Sequence, residues 1–230
     1  MDIETVSAAP DWDVLGETEQ DLWRKKSQYW VRDMEDPGDK DYAKTYRDKA
    51  AIYAEFGKVI VVSTGYLNPE TQKFHIKSIY GQSEKELLAE LSKWLDDPFR
   101  SFQICGHNIK EFDIPYLCRR MLIHGVPLPA PLQVRGKKPW EVNHLIDTMD
   151  LWKFGDLKNY TSLDLLAHAF GIPSPKDDID GSQVGHVYHE EHDLERIKRY
   201  CEKDVLTVAQ VYLRLNQLPV LNEDQIEFIP

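Results

Sequence analysis

The sequence predicts an α/β domain in which a mixed sheet is flanked by helices, and three observations carry that expectation. Two β-rich runs, residues 58–67 and 73–80, follow one another across Asn68-Pro69 and read as a hairpin. Beyond them, helical and strand-like segments alternate to about residue 218, the pattern of helices laid on a sheet. Ahead of them, residues 11 to about 56 are charged, aromatic and helically spaced, and read as a helical insertion after the first strand.

Taken in order, residues 2–6 read as a short strand end, broken by Pro10. The insertion spaces Leu22, Trp23, Tyr29 and Trp30, then Tyr42, Tyr46, Ala50 and Tyr53, as two helices parted at Pro37-Gly38. Trp23, Trp30, Tyr46 and Tyr53 serve its packing in the plainer reading, ahead of a base-stacking platform. After the hairpin, Ser83 with Glu86 has the form of a capping box, opening a helix through Leu87, Leu88, Leu91, Trp94 and Leu95 until Pro98. A buried strand is expected over 102–105, a helix over 112–124 closed by Gly125, and another strand near 145–151. Ser162 caps a helix reaching Gly171, a polar loop spans 173 to about 187, and a long helix covers about 190–218. Its apolar positions Leu194, Ile197, Cys201, Val205, Val208, Val211 and Leu215 fall on one face.

A chain of 230 residues, 42% hydrophobic and 29% charged, suits one folded domain over 1–230. No apolar run approaches the roughly 20 residues of a membrane span, so no membrane partner is expected. The acidic start lacks the order of a secretion signal. Cys105, Cys118 and Cys201 are odd in number and scattered, which suggests packed, reduced thiols and a cytoplasmic setting. The formal net charge of −11 argues against a simple DNA-coating module. It does not exclude a nuclease, which must gather carboxylates for cations that then attract phosphate. Two basic groups, Arg135, Lys137 and Lys138 and then Arg196, Lys198 and Arg199, read first as solvated faces.

Phosphodiester hydrolysis needs an activated water and neutralised charge on two oxygens, which two divalent ions supply. Hard ions want oxygen ligands, so the signature is carboxylates converging from separate elements. On a strand, Asp2-Ile3-Glu4 puts both carboxylates on one face with Ile3 on the other. Asp-x-Glu recurs at Asp33/Glu35 and Asp193/Glu195, where a polar helix end and helical spacing splay the pair. Tyr-x-x-x-Asp occurs at Tyr29/Asp33, Tyr160/Asp164 and Tyr200/Asp204, and only the last falls inside a strong helix, where four-residue spacing stacks both side chains.

Residues 106–117, with Asn108 at a strand end and Phe112-Asp113 opening a helix, closely resemble the second exonuclease motif of family B DNA polymerase proofreading domains. With Asp2-Ile3-Glu4-Thr5 before and Tyr200-Cys201-Glu202-Lys203-Asp204 after, three motifs appear in that family's order. The chain resembles the stand-alone exonucleases related to that domain, of ribonuclease H-like fold and the four-carboxylate, tyrosine-bearing (DEDDy) branch. No histidine here has an Asp five residues later, as the sister branch requires.

The resemblance implies a 3′-5′ exonuclease that releases mononucleotides from single-stranded nucleic acid, DNA in preference to RNA, using two ions, Mg2+ or Mn2+. It implies that Asp2, Glu4 and Asp204 hold one ion, that Asp2 and Asp113 support the second, and that Tyr200 orients the attacking water. Asn108 and Phe112 would hold the terminal nucleotide. In the family the Asp-x-Glu strand starts several apolar residues before its Asp, whereas Asp is residue two here. Either the front of that strand lies outside the numbered chain or the strand is short. An RNA-trimming exonuclease is the first alternative, and a non-catalytic nucleic-acid or repair-partner binding module the second.

Other clusters carry less. His189-Glu190-Glu191-His192, with His186, lacks the i, i+4 spacing of a zinc protease helix. Residues 176–181 begin like a calcium loop but lack its distant glutamate in register. Asp147 and Asp150 read as capping or surface acids before supports of the site.

Overall fold

The computed structural model describes residues 1–97, 103–156, 160–173 and 179–229. Strand β1 (Asp2–Ser7) pairs antiparallel with β2 (Gly57–Leu67), and β2 pairs antiparallel with β3 (Phe74–Tyr80). Two short strands, β4 (Ile104–Gly106) and β5 (Leu145–Asp147), pair in parallel, and β6 (Ile226–Ile229) adds parallel to β3. Among the described residues the hydrogen-bonded orders are β1-β2-β3-β6 and β4-β5. The Met1 ammonium donates to the Cys105 carbonyl across 2.7 Å, which ties β4 to the start of β1. The result is the mixed α/β class expected.

Helices α1 (Glu17–Val31) and α2 (Asp39–Lys49) lie between β1 and β2 and form their own core. Trp23 is wholly buried there, 5.3 Å from the Tyr46 ring and 4.9 Å from Phe56, and its Nε1–H donates to Thr45 Oγ1. Trp30 and Tyr53 stack into the same group, so these aromatics are packing.

Strand periodicity then divides the sheet's two faces. Ile3, Val62 and Ile79 turn toward α3 (Glu84–Leu95) and α4 (Asp113–His124), meeting Leu88, Leu91, Leu117 and Met121. Burying an aliphatic chain of this size stabilises a fold by about 1.5–3 kcal/mol. The register slips between Glu4 and Thr5, because Glu4 faces Val61 and Thr5 faces Val59, leaving Ile60 the extra residue. The slip lets Ile60 and Val61, though adjacent, both join the opposite core with Val6. A buried Glu84 carboxylate locks α4 in place. It accepts from Arg120 Nε (2.8 Å), Arg120 Nη2 (2.5 Å) and the Val59 N–H (2.8 Å), and meets His124 Nε2. Burial pushes its pKa up, but those partners outweigh it and hold the group below its ordinary range.

The remaining helices are α5 (Thr148–Lys153), α6 (Leu163–Ala169), the short α7 (Val184–His186) and α8 (Leu194–Leu215). Helix α8 lies across β1 and β2. A Cβ on Gly65 would fall 2.9 Å from Val205 Cγ1, so glycine permits that close approach.

Several boundaries differ from expectation. The strand expected over 145–151 stops at Asp147, whose carboxylate accepts from the Met149 N–H and starts a helix. The expected polar loop before 187 contains α7, followed by a π-helical turn, Val187–Glu191. The last helix opens at Leu194, because His192 has φ +57° and Asp193 caps the Arg196 N–H at 3.0 Å. It ends at Leu215, just before Gln217 at φ +59°. Strand β6 was not expected. Phe102 of the strand expected over 102–105, and residues 176–178 of the calcium-like stretch, lie outside the described residues. Among the described residues no helix is long and apolar enough to cross a membrane.

Candidate active site

The alternation of β1 sends Asp2 and Glu4 to the face covered by α8 while Ile3 enters the other core. From α8 comes the Tyr200–Asp204 segment, with Cys201 on the helix's buried stripe between Ile197 and Val205. Ligand atoms of Asp2, Glu4 and Cys201 all lie within 4.8 Å of one another. The Cys201 thiol donates to Asp2 Oδ2 at 3.3 Å.

Asp113 arrives from a third direction. It is the first residue of α4, where a helix N-terminus favours negative charge. The Ile3 backbone N–H donates to its buried carboxylate, which fastens Asp113 to the strand that bears Asp2 and Glu4.

The loop leading to Asp113 is built with care. Gly106 is followed by a turn so tight that a Cβ there would fall 2.7 Å from Ile109 Cδ1. Asn108 takes φ +59°, a conformation asparagine tolerates, and its carbonyl accepts from the Phe112 N–H at 3.0 Å. Asp147, 2% exposed, accepts from the Asn108 N–H at 2.9 Å and the Lys110 N–H at 3.2 Å. It therefore braces this loop as well as capping α5, a role that its position at a strand end only hinted at. Asn108 Oδ1 is buried and has no partner. Phe112 is half-buried against Tyr116, 5.5 Å between rings.

Electrostatics binds the four carboxylates into one group. Burial, then Asp204, then Asp113, raise Asp2 well above the carboxylate range, with the Cys201 thiol and the Met1 ammonium opposing. Burial, then Asp2, Asp204 and Asp113, raise Glu4 likewise. Asp113 is pushed up to about 7, chiefly by burial, against the Met1 ammonium and two backbone donors. Burial and the neighbouring Asp204, Glu4 and Asp2 hold the Tyr200 phenol far above its ordinary value, and it hydrogen-bonds Asp204. Cys201 is likewise kept a neutral thiol, first by burial and then by Asp2 and Glu4.

Asp2 and Glu4 thus lie beside Cys201, and Asp113, Tyr200 and Asp204 interact with them electrostatically, while Asn108 and Phe112 adjoin Asp113 through the chain. Cys201, read from sequence as a packed thiol, is part of the group. The signal was its place on the buried stripe one residue after Tyr200.

The discounted clusters stay apart. His186 meets Glu190 and Glu191, His189 meets Ser7, and His192 meets the Tyr188 carbonyl, so the three imidazoles share no centre. Arg196 pairs with Glu191, and Lys198 lies near Glu195 and Glu202.

Residues 52–226 match the sequence model of a family described as predicted 3′-5′ exonucleases related to the exonuclease domain of PolB. That span holds Asn108, Phe112, Asp113, Tyr200 and Asp204, and begins after Asp2 and Glu4. No curated protein matches the chain.

Proposed function

The chain belongs to the family of predicted 3′-5′ exonucleases related to the exonuclease domain of PolB, and from that membership we propose that it removes mononucleotides from the 3′ end of single-stranded DNA. The observation that carries this reading is the gathering of Asp2, Glu4, Asp113 and Asp204, from β1, α4 and α8, into one mutually repelling group. Burying such a set is unfavourable unless cations use it. Its oxygen donors fit Mg2+ or Mn2+. Two such ions supply a nucleophilic water at neutral pH and charge to offset the attacking and leaving oxygens.

In this reading Asp2, Glu4 and Asp204 hold one ion, and Asp2 with Asp113 holds the other. Tyr200 remains a phenol, bonded to Asp204, and orients the water that attacks. Asn108, with its unpaired Oδ1, and Phe112 hold the terminal nucleotide. Residues 1–230 act as one exonuclease domain of ribonuclease H-like fold, a reading supported by the Met1 contact that ties β4 to the start of β1, and α1 and α2 are an insertion. Its setting is a reducing cytoplasm, in keeping with three unpaired thiols.

The test is a matched set of 3′- and 5′-labelled oligonucleotides: single-stranded DNA, blunt duplex, and RNA of the same sequence. We expect Mg2+-dependent loss of nucleotides from the 3′ end of the single-stranded DNA. A duplex resists until its end frays, since unstacking a paired base costs a few kcal/mol. Faster release from RNA moves the substrate to RNA. Attack from the 5′ end, or full activity in excess chelator, overturns the reading.

A further inference from the structure

Four aromatic side chains of the described surface are more exposed than Phe228, at 54%: Tyr29, Trp140, Phe154 and Tyr160. Two of them have cover, because Arg32 lies 4.3 Å over the Tyr29 ring and Lys138 lies 5.1 Å over Trp140. Phe154 and Tyr160 have no cation over them among the described residues. They are also the most exposed of the four, at 87% and 70%. Phe154 has only an edge contact with Trp152, 6.5 Å between centroids.

Phe154 is held out in a conformation that suits it poorly. It closes α5 in the left-handed region, at φ 45° and ψ 33°, which glycine or asparagine adopts easily and a bulky residue does not. Such strain persists where the surrounding structure imposes it and gathers at ligand contacts.

The helix that Phe154 closes also leads to the candidate active site. Helix α5 starts at Thr148, whose hydroxyl meets His107 Nδ1 at 2.9 Å and the Gly106 carbonyl at 3.2 Å. The other ring nitrogen of His107, Nε2, donates to the Thr161 carbonyl at 2.8 Å, and Tyr160 directly precedes Thr161. His107 itself directly precedes Asn108. Phe154, through α5, and Tyr160, beside Thr161, are therefore each tied through His107 to the loop bearing Asn108 and Asp113.

Among the described charges nearby, Lys110 and Lys153 both pair with Asp150, at 3.3 and 3.2 Å, which offsets part of their pull on phosphates. An exposed ring instead offers a face to a base of any sequence.

We propose that Phe154 and Tyr160 form a stacking platform for the unpaired bases that lead to the 3′-terminal nucleotide. The inference rests on the nuclease reading for its occupant, a single DNA strand. The platform selects single strands because paired bases present no free face to it. It also grips without adding positive charge to an acidic protein.

The test uses Phe154→Ala, Tyr160→Ala and Phe154→Asn in the full chain. Binding is read from the anisotropy of 5′-fluorescein oligothymidylate of about ten nucleotides, within the usual site size, in Ca2+ to suppress turnover. Turnover in Mg2+ is read on the same oligomer and on the p-nitrophenyl ester of thymidine 5′-monophosphate, which is too short to reach the rings. We expect each alanine variant to raise Kd and KM for the oligomer by about 5- to 100-fold, the worth of one stacked base. The ester should be hydrolysed as before, and the salt dependence of binding should keep its slope, since no phosphate contact is lost. Phe154→Asn should lose affinity while keeping or raising Tm. Unchanged oligomer binding in the variants overturns the platform, as does loss of ester hydrolysis in step with the oligomer. A wild-type protein that releases no nucleotide, yet binds through these rings, overturns the nuclease reading and leaves the platform standing.

Discussion

The Cys201 thiol lies 3.3 Å from Oδ2 of Asp2 and donates to it, joining a helix to a strand 199 positions away. The contact holds one oxygen of a carboxylate that every neighbouring acid repels. Partners of this kind, one step behind a metal ligand, typically contribute about 10- to 100-fold in metal affinity. Cys201→Ala should weaken Mn2+ binding by calorimetry within that range, and Cys201→Ser, which restores a donor, should recover most of it. Equal affinity in Cys201→Ala and the wild type would show that the thiol only fills space.

A second prediction concerns stability without metal. The Asp113 pKa is raised in the fold from 3.8 to about 7. A group raised in this way favours the folded state most below its unfolded pKa, and that contribution is lost as pH rises through the folded one. With chelator present, stability should therefore fall between about pH 4 and pH 7. Asp2 and Glu4 act in the same direction. Mg2+ should reverse the loss at neutral pH. Asp113→Asn should flatten the Tm profile in chelator and abolish turnover, as should Asp204→Asn for turnover. An active Asp113→Asn enzyme would remove Asp113 from the mechanism.

Tyr200 separates chemistry from binding. Its phenol stays protonated throughout the working range, because burial and then Asp204 hold its pKa high. Activity should therefore show no loss attributable to tyrosine ionisation up to pH 10. Tyr200→Phe should slow the chemical step roughly 10²–10⁴-fold, the cost of a lost positioned group. Metal affinity measured by calorimetry should hardly move. Lost metal binding in that variant would make Tyr200 a support for the ligands, with no part in orienting water.

The fourth prediction lies at the open end of β1. β2 continues to Leu67, whereas β1 begins opposite Ser63, so the β1-side edge of β2 from Thr64 to Leu67 is unpaired by it. Grooves of about 610 and 220 Å3 lie there, both lined by Met1, Gly65 and Cys105. One reaches Trp94 and Leu95 of α3, and the other reaches Val205 and Val208 of α8. A strand entering between them would place alternate side chains in each. Adding four or five apolar residues ahead of Met1, enough for a strand of about ordinary length, should raise Tm and Mn2+ affinity together. No change in either would show that β1 is anchored sufficiently as it stands.

The parts of the site read from sequence are those governed by local rules. Alternation along a strand placed Asp2 and Glu4 together and Ile3 apart, and four-residue helical spacing put Tyr200 and Asp204 on one face. Asp113 followed from a motif whose helix start is visible in Phe112-Asp113. Other features depend on partners distant in sequence. Spacing alone shows that Cys201 faces inward, yet only the path of α8 over β1 shows that Asp2 is what it meets. The slip at Ile60 is set by two strands jointly. Residues 226–229 carry too short an alternation to announce β6, which needs β3 beside it. The π-helical turn before α8 holds its histidines in separate directions, where a polar loop running into the helix was expected.

The Asp2-to-Cys201 contact spans 199 positions, and with the Met1-to-Cys105 contact it means that the candidate site joins a strand to a helix made long after it. While the chain emerges from a ribosome, β1 has neither α8 nor the loop to Asp113, and such long-range contacts form only after the intervening chain has been ordered. A fragment cut or prematurely ended before Tyr200 lacks Asp204 and cannot complete the cluster. Under the proposed nuclease function, unfinished or broken copies would therefore be inert without an inhibitor to restrain them.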